Sequence, residues 1–100
     1  MFVHHVYFWL KDADSNEALD QQAEGLRQLS TVKTIKTVHI GKPANTSRDV
    51  IDGSYSFSLL TTFESEADHD LYQEDPVHLK FIEDCKSLWS KVLVYDSVDL

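Results

Sequence analysis

A tyrosine and a histidine flank a predicted helix start in the segment Tyr72-Gln73-Glu74-Asp75-Pro76-Val77-His78. Asp75 can cap a helix through its carboxylate, and Pro76 suits the first helical position, which puts His78 in the first turn. An imidazole exchanges a proton near neutral pH, and a nearby phenol can orient a carbonyl group or steady an enolate. The pair therefore predicts proton abstraction next to a carbonyl. The alternative is structural: His78 caps or packs at the helix start, and Tyr72 fills space.

The other histidines and the single cysteine give weaker signals. His4 and His5 are neighbours on a predicted strand, so their side chains point to opposite faces and cannot easily chelate one ion. His39 falls near a predicted strand end, and His69 lies in a polar helical stretch that is typical of a solvated surface, so neither is assigned a role. Cys85 follows a helical pattern and is predicted to be a small buried hydrophobe.

No metal or cofactor site is predicted. The acidic residues around the start of the second helical region could attract a hard cation, but carboxylates there more often serve capping and the helix dipole; they are Glu64, Glu66, Asp68 and Asp70. The chain has no glycine-rich phosphate loop, no CxxC pair and no nucleophile elbow. Any catalysis is therefore expected to need no cofactor.

Length and charge limit the partners. One hundred residues predict a single domain over residues 1–100. The 17 acidic and 9 basic residues give a formal charge of -8, which repels phosphate backbones and anionic membrane surfaces. Neither nucleic acid nor a membrane is an expected partner. Because no Lys or Arg precedes the short apolar run after Met1, no signal peptide or spanning helix is predicted, and a cytoplasmic location is expected.

The periodicity of apolar residues predicts four strands and two helical regions. In chain order these are a strand Phe2 to Leu10, a helix Ser15 to Leu29, a strand Val32 to Ile40, a polar loop Ala44 to Asp52, a strand Ser54 to Phe63, a helix from Ser65 that breaks before Pro76 and resumes to about Lys91, and a strand Val92 to Val98. In the third strand Tyr55, Phe57, Leu59 and Phe63 are predicted to share one side. Gly25, inside the first helix, predicts close packing of that helix, with room left for another group as the alternative.

This order, β-α-β-β-α-β, predicts an α+β ferredoxin-like subunit in which helices cover one face of a four-stranded antiparallel sheet. On the first strand, His4, Val6, Phe8 and Leu10 form one side, while His5, Tyr7 and Trp9 form the other. Both sides carry large apolar groups, and no sequence remains to cover the second one. A second copy of the same sheet is the economical cover, so the face with His5, Tyr7 and Trp9 is predicted to form a homodimer interface.

Several short motifs resemble one known family, the stress-responsive A/B barrel domain proteins of the dimeric α/β barrel group. The motifs span nearly the whole chain: Val3-His4 leading to Leu10-Lys11-Asp12, then Ile40-Gly41-Lys42, Thr62-Phe63-Glu64-Ser65, and Tyr72 with Asp75-Pro76-Val77-His78 and Phe81. The resemblance implies a ferredoxin-like subunit whose sheet pairs with that of a partner to enclose a barrel.

The resemblance also implies a pocket between sheet and helices. One member of the family to which the chain is similar is a plant polyketide cyclase that uses a tyrosine and a histidine for ring closure. Tyr72 and His78 match those positions, and His4 matches a further pocket histidine. Phe57 replaces another histidine of that cyclase, and the region of Gly25 lacks its tyrosine. The predicted lining of the pocket is His4, Val6, Phe8, Phe57, Leu59, Phe81 and Trp89.

Two functions follow as hypotheses. The first is a homodimer that binds a small apolar molecule in this pocket without turnover. The second is a cofactor-free cyclase or lyase in which His78 and Tyr72 carry out acid–base chemistry on a polyketide-like carbonyl compound. The incomplete match to the cyclase favours the first hypothesis.

Overall fold

Four antiparallel strands and three α-helices make up the chain, and a computed structural model describes all of residues 1–100. The elements are β1 (Phe2–Leu10), α1 (Asn16–Leu29), β2 (Thr37–Gly41), β3 (Phe57–Phe63), α2 (Glu66–Glu74), α3 (Pro76–Cys85) and β4 (Trp89–Val98), with a 3-10 turn at Lys86–Leu88. The strands form one sheet in the order β2-β3-β1-β4. The predicted α+β ferredoxin-like class is thereby confirmed.

Local capping signals explain where the helices begin. Ser15, Ser65 and Asp75 each accept a hydrogen bond from a backbone N–H in the first turn of α1, α2 and α3. Pro76 is the first residue of α3, where its missing N–H costs no helical hydrogen bond. None of the helices is long and apolar enough to cross a lipid bilayer. The cytoplasmic location expected from the sequence stays a prediction.

The central strand β1 supplies the helix-facing wall of the core. Val6, Phe8 and Leu10 are buried on that face, whereas Tyr7 and Trp9 are half-buried on the opposite one. This alternation is the two-residue period expected of a strand with one face under helices. Helices α1 and α3 lie over the sheet, and their buried side chains complete the core: Leu26, Leu29, Phe81 and Cys85.

A close approach of α1 to α3 explains Gly25. A Cβ atom at Gly25 would lie 2.6 Å from the Cys85 sulfur and 3.2 Å from the Phe81 ring. No side chain larger than hydrogen fits without a shift of these neighbours, so the close packing predicted for Gly25 is confirmed. Cys85 is buried and free, as expected.

The second strand begins later than the sequence predicts, at Thr37 rather than at Val32. Strand β2 begins at Thr37, and the preceding residues form turns in which Val32 donates to the Leu29 carbonyl and Ile35 donates to the Val32 carbonyl. Val32 is only 4% exposed because its side chain is drawn into the core. Tertiary packing therefore overrides the strand propensity of this segment.

The third strand and the last helix also differ from the sequence prediction. Regular pairing in β3 starts at Phe57, so the two-residue period does not extend back to Tyr55, whose ring instead contacts Tyr7 on the helix-free face. The last helix ends at Cys85 rather than near Lys91. Trp89 pairs with Leu10 and begins β4, because pairing with β1 stabilises an extended backbone at Trp89.

Candidate functional site

A cleft of about 170 Å³ lies between the helix-facing side of the sheet and helices α2 and α3. Strand β1 contributes alternate residues to its floor, the end of α2 contributes Tyr72, and the first turn of α3 contributes His78. The apolar side of β4 forms the outer wall. The lining residues are His4, Val6, Phe8, Tyr72, Gln73, His78, Phe81, Ile82, Trp89, Val92 and Val94.

Tyr72 and His78 are neighbours in this cleft, with ring centroids 4.8 Å apart. The break between α2 and α3 brings them together, because the extended Asp75 redirects the chain between the two helices. Tyr72 is only 1% exposed. Burial raises the pKa of its phenol above the usual value, since the phenolate would lose its hydration. Tyr72 is thus a neutral hydrogen-bond donor at physiological pH.

One nitrogen of the His78 imidazole is buried without a hydrogen bond. This atom is Nδ1. Burial lowers the pKa of His78 below its ordinary value. A lowered pKa keeps the ring neutral near pH 7, so it can accept a proton. An unpaired buried polar atom costs stability, which makes this nitrogen a candidate for a functional role.

Three polar side chains meet beside the cleft, and sequence reasoning missed two of them. His4 is 6% exposed, and its Nδ1 lies 2.6 Å from Oδ1 of Asp96, the residue directly opposite on β4. His69 is 8% exposed, and its ring centroid lies 4.6 Å from that of His4. The prediction that His69 is solvated is therefore wrong: although Asp68 and Asp70 flank it, the helix turns His69 toward the sheet.

The sequence does contain a signal that His69 faces the core. His69 and Tyr72 are three residues apart, so a helix places them on one face, and Tyr72 is a core residue. Their rings indeed stack, with centroids 5.9 Å apart. Asp96 carries no comparable local signal, because its place opposite His4 depends on the register between the two ends of the chain.

The structure brings together most, but not all, of the residues predicted to line the pocket. His4, Val6, Phe8, Phe81 and Trp89 line the cleft with Tyr72 and His78. Phe57 and Leu59 do not, because β3 lies on the far side of β1 from β4; Leu59 is 1% exposed in the core, and Phe57 packs against that core. The places expected for them are taken by Val92 and Val94 of β4, and Gln73 and Ile82 also line the cleft.

The opposite, helix-free face of the sheet carries an aromatic surface. It surrounds a hollow of about 260 Å³ lined by Tyr7, Trp9, Asp52, Tyr55, Leu93 and Tyr95. We call this group of residues the aromatic face. Tyr95 is 61% exposed, and the Trp9 indole donates to Ser54 Oγ. His5 lies on the same side, with Nδ1 3.3 Å from the Tyr7 hydroxyl.

The model of one protein family, the Stress Responsive A/B Barrel Domain (Dabb), matches residues 2–99. The chain belongs to this family. The resemblance read from the sequence motifs is thereby confirmed, and the match spans every strand and helix that builds the cleft. No curated protein matches the Dabb chain.

Solved structures share its fold. A Dabb family protein of Mesorhizobium loti is 24% identical with a TM-score of 0.81, covering 99% of this chain and 96% of its own. A dimeric ferredoxin-like protein of Thermobifida fusca is 16% identical with a TM-score of 0.79, covering 98% and 90%. A hydroxynitrile lyase of Passiflora edulis is 21% identical with a TM-score of 0.79, covering 99% and 93%. At these identities the similarity establishes the fold.

Proposed function

We propose that this Dabb protein is a homodimer in which each subunit binds a small apolar molecule carrying a carbonyl or phenol group. The pairing of the His78 and Tyr72 rings, 4.8 Å apart between centroids in the lining of one mostly apolar cleft, carries the proposal. Eight of the eleven lining residues are hydrophobic, so a bound molecule gains mainly from apolar contact. The few polar groups supply orientation.

The size of the cleft limits the ligand. A volume of about 170 Å³ is smaller than the roughly 300 Å³ at the lower end of drug-sized pockets, and a cavity of roughly 150 Å³ holds one benzene ring. Val92 and Val94 in the outer wall are 39% and 43% exposed, so the cleft is open along β4. A single aromatic ring fits inside, and an alkyl or acyl substituent extends over β4.

A second candidate function is acid–base catalysis on such a ligand. Neutral His78 would remove a proton from the carbon next to a carbonyl, while the Tyr72 hydroxyl donates a hydrogen bond to the oxygen that becomes an enolate. The enolate carbon then attacks a second carbonyl carbon to form a carbon–carbon bond, and protonated His78 returns its proton to the new alkoxide. The opposed pKa shifts of His78 and Tyr72 favour this candidate, because both groups stay neutral in the resting site.

Ligand-dependent melting tests binding before any reaction is known. Ligands that bind the native state raise its melting temperature by mass action. Wild type and His78→Ala would be screened against single-ring phenols, aryl ketones and polyketide-like diketones, with His39→Ala as the matched control, since His39 is an exposed histidine outside the cleft. We expect wild type and the control to gain stability from the same compounds and His78→Ala to gain much less.

The same screen separates the two functions. Compounds that bind would be incubated with wild type and followed by mass spectrometry for condensation or cleavage products. Turnover that disappears in both His78→Ala and Tyr72→Phe supports the enzyme, whereas stabilisation without products supports a binding protein. If no compound stabilises wild type, the proposed ligand class is wrong.

The proposal of a homodimer is based on the aromatic face. Five of the six residues around its hollow are hydrophobic or aromatic, no helix covers this face of the sheet, and apolar groups on an uncovered face favour an interaction site. Dimeric relatives with the same fold, such as the Thermobifida fusca protein, support a second copy of this chain as the cover. An isologous pairing of this face would shield Tyr7, Trp9 and Tyr95 at once.

A further inference from the structure

We propose that His4, His69 and Asp96 form a binding site for one divalent transition-metal ion, with zinc as the best chemical match. This site goes beyond the proposed function and does not depend on it. The sequence predicts no metal site at His4 and His5, because neighbours on a strand point to opposite faces. In the structure these two residues do lie on opposite faces of β1. The candidate ligands instead come from three different elements, β1, α2 and β4.

The distances require only small adjustments. One potential ligand atom from each residue lies within 4.8 Å of the others. A tetrahedral ion with bonds of about 2.0 to 2.1 Å separates its ligand atoms by roughly 3.4 Å. The His4 and Asp96 atoms, now 2.6 Å apart, would separate slightly, and His69 would approach them by at most about 1.4 Å. Rotations of side chains cover such shifts without a change in the backbone.

The surroundings already orient the His69 imidazole. The His69 ring stacks on Phe2 with a centroid distance of 4.4 Å and an interplanar angle of 24°. The Gln73 amide lies 3.0 Å from His69 Nε2, and we infer that Nδ1 is the nitrogen that binds the ion. The Thr61 hydroxyl donates to the backbone carbonyl of His4, which fixes the main chain of β1 at this residue. Partners on the second ring nitrogen of a histidine are a regular feature of metal sites, because they fix the tautomer and the ring direction.

The ligand types select the ion. Two imidazoles and one carboxylate suit zinc, cobalt or iron(II), whereas magnesium and calcium prefer oxygen ligands only. Three protein ligands leave a fourth position open. The Asp96 side chain is 42% exposed, which provides an entry from solvent, while the His4 side chain is 7% exposed and borders the cleft.

Cobalt(II) titration of the untagged, chelator-treated full chain tests this site. Four-coordinate cobalt(II) bound by histidine and carboxylate absorbs visible light far more strongly than the aqueous ion. We expect saturation at one equivalent per chain, and displacement of cobalt by one equivalent of zinc. His69→Gln and Asp96→Asn should each weaken binding about a hundredfold or more, because loss of a direct ligand costs at least as much as loss of its outer partner. His39→Gln, which removes an exposed histidine elsewhere, should bind like wild type.

Three results would overturn the site: no saturable binding by wild type, a one-equivalent complex that persists in both ligand variants, or equal loss in the His39→Gln control. Circular dichroism and melting of every variant without metal verify the fold. Should His69→Gln not fold, Asp96→Asn decides, because Asp96 is exposed enough for an amide to be accommodated. Cobalt binding is read without any ligand or turnover, so its failure leaves the proposed function untouched.

Discussion

Asp96 lies directly across the β1–β4 pair from His4, and its carboxylate Oδ1 is 2.6 Å from the imidazole Nδ1. The two residues are separated by almost the whole chain, and antiparallel pairing of the N-terminal and C-terminal strands brings them together. The carboxylate gives a buried imidazole its only hydrogen-bond partner on that nitrogen. Through this contact His4, in the floor of the cleft, is bonded to a partly exposed residue of the edge strand β4.

Replacing Asp96 should show what this contact contributes to stability. A hydrogen bond to a charged group contributes about 1.5 to 3 kcal/mol, and the 42% exposure of the Asp96 side chain reduces that to about 1 kcal/mol. We expect Asp96→Ala to lose about 1 kcal/mol in urea unfolding at pH 7 without metal. Asp96→Asn, which keeps an acceptor oxygen, should lose roughly half as much. Equal losses in the two variants would show that charge, not the hydrogen bond, matters.

Local signals were sufficient for the fold and for the central pair of the cleft. The capping residues Ser15, Ser65 and Asp75 act within one turn, so they identify helix starts without knowledge of the tertiary structure. The same local geometry placed His78 in the first turn of α3. Alternation along β1 separated the two faces of the sheet correctly, because a strand that pairs on both sides keeps its period.

Contacts that depend on register could not be predicted. Asp96 joins the site only because β4 pairs with β1 in one register, and a shift of one residue would turn it to the other face. The family resemblance implies Phe57 and Leu59 as pocket residues, but the strand order places them on the far side of β1 from the cleft. Tyr55 does not lie on the side predicted for it, because the regular pairing of β3 begins only at Phe57.

Gly25→Ala should destabilise the protein despite the higher helix propensity of alanine. The gain in propensity is about 1 kcal/mol, but the new methyl group would lie 2.6 Å from the Cys85 sulfur, and forced overpacking costs about 1 to 3 kcal/mol. We expect a net loss of about 1 kcal/mol in urea unfolding. The double variant Gly25→Ala/Cys85→Ala should recover stability relative to the sum of the single changes. Simple additivity of the two would argue against a direct clash.

Stability should fall as the pH drops from 8 to 5. Burial lowers the pKa of His78 below its ordinary 6.5, so the unfolded chain binds more protons than the folded one between the two values. The stabilisation is complete above pH 6.5 and is lost as pH falls from there toward the lowered folded pKa. His69 and His5 have lowered pKa values for the same main reason, burial, and add to the decline.

The His78 share of this decline can be measured by melting in metal-free buffers. His78→Gln should show a smaller loss of melting temperature between pH 8 and pH 5 than wild type, because glutamine does not titrate. Keeping the range above pH 5 separates the effect from that of the carboxylates, which protonate mostly below about pH 4.5. An unchanged pH slope in His78→Gln would mean that the histidine is equally protonated in both states.

Charge placed on the aromatic face should dissociate the homodimer. A glutamate at Tyr7 would be buried without a partner in an isologous interface, and the twofold symmetry would apply that cost twice. We expect sedimentation equilibrium to give twice the chain mass for wild type and a single chain mass for Tyr7→Glu. Leu71→Glu is the matched control, because Leu71 is 57% exposed on α2, away from the sheet, and should leave the dimer intact.

The melting temperature of wild type should also rise with protein concentration, since dissociation accompanies unfolding. A monomeric wild type would refute the proposed interface, and a dimeric Tyr7→Glu would locate the contact elsewhere.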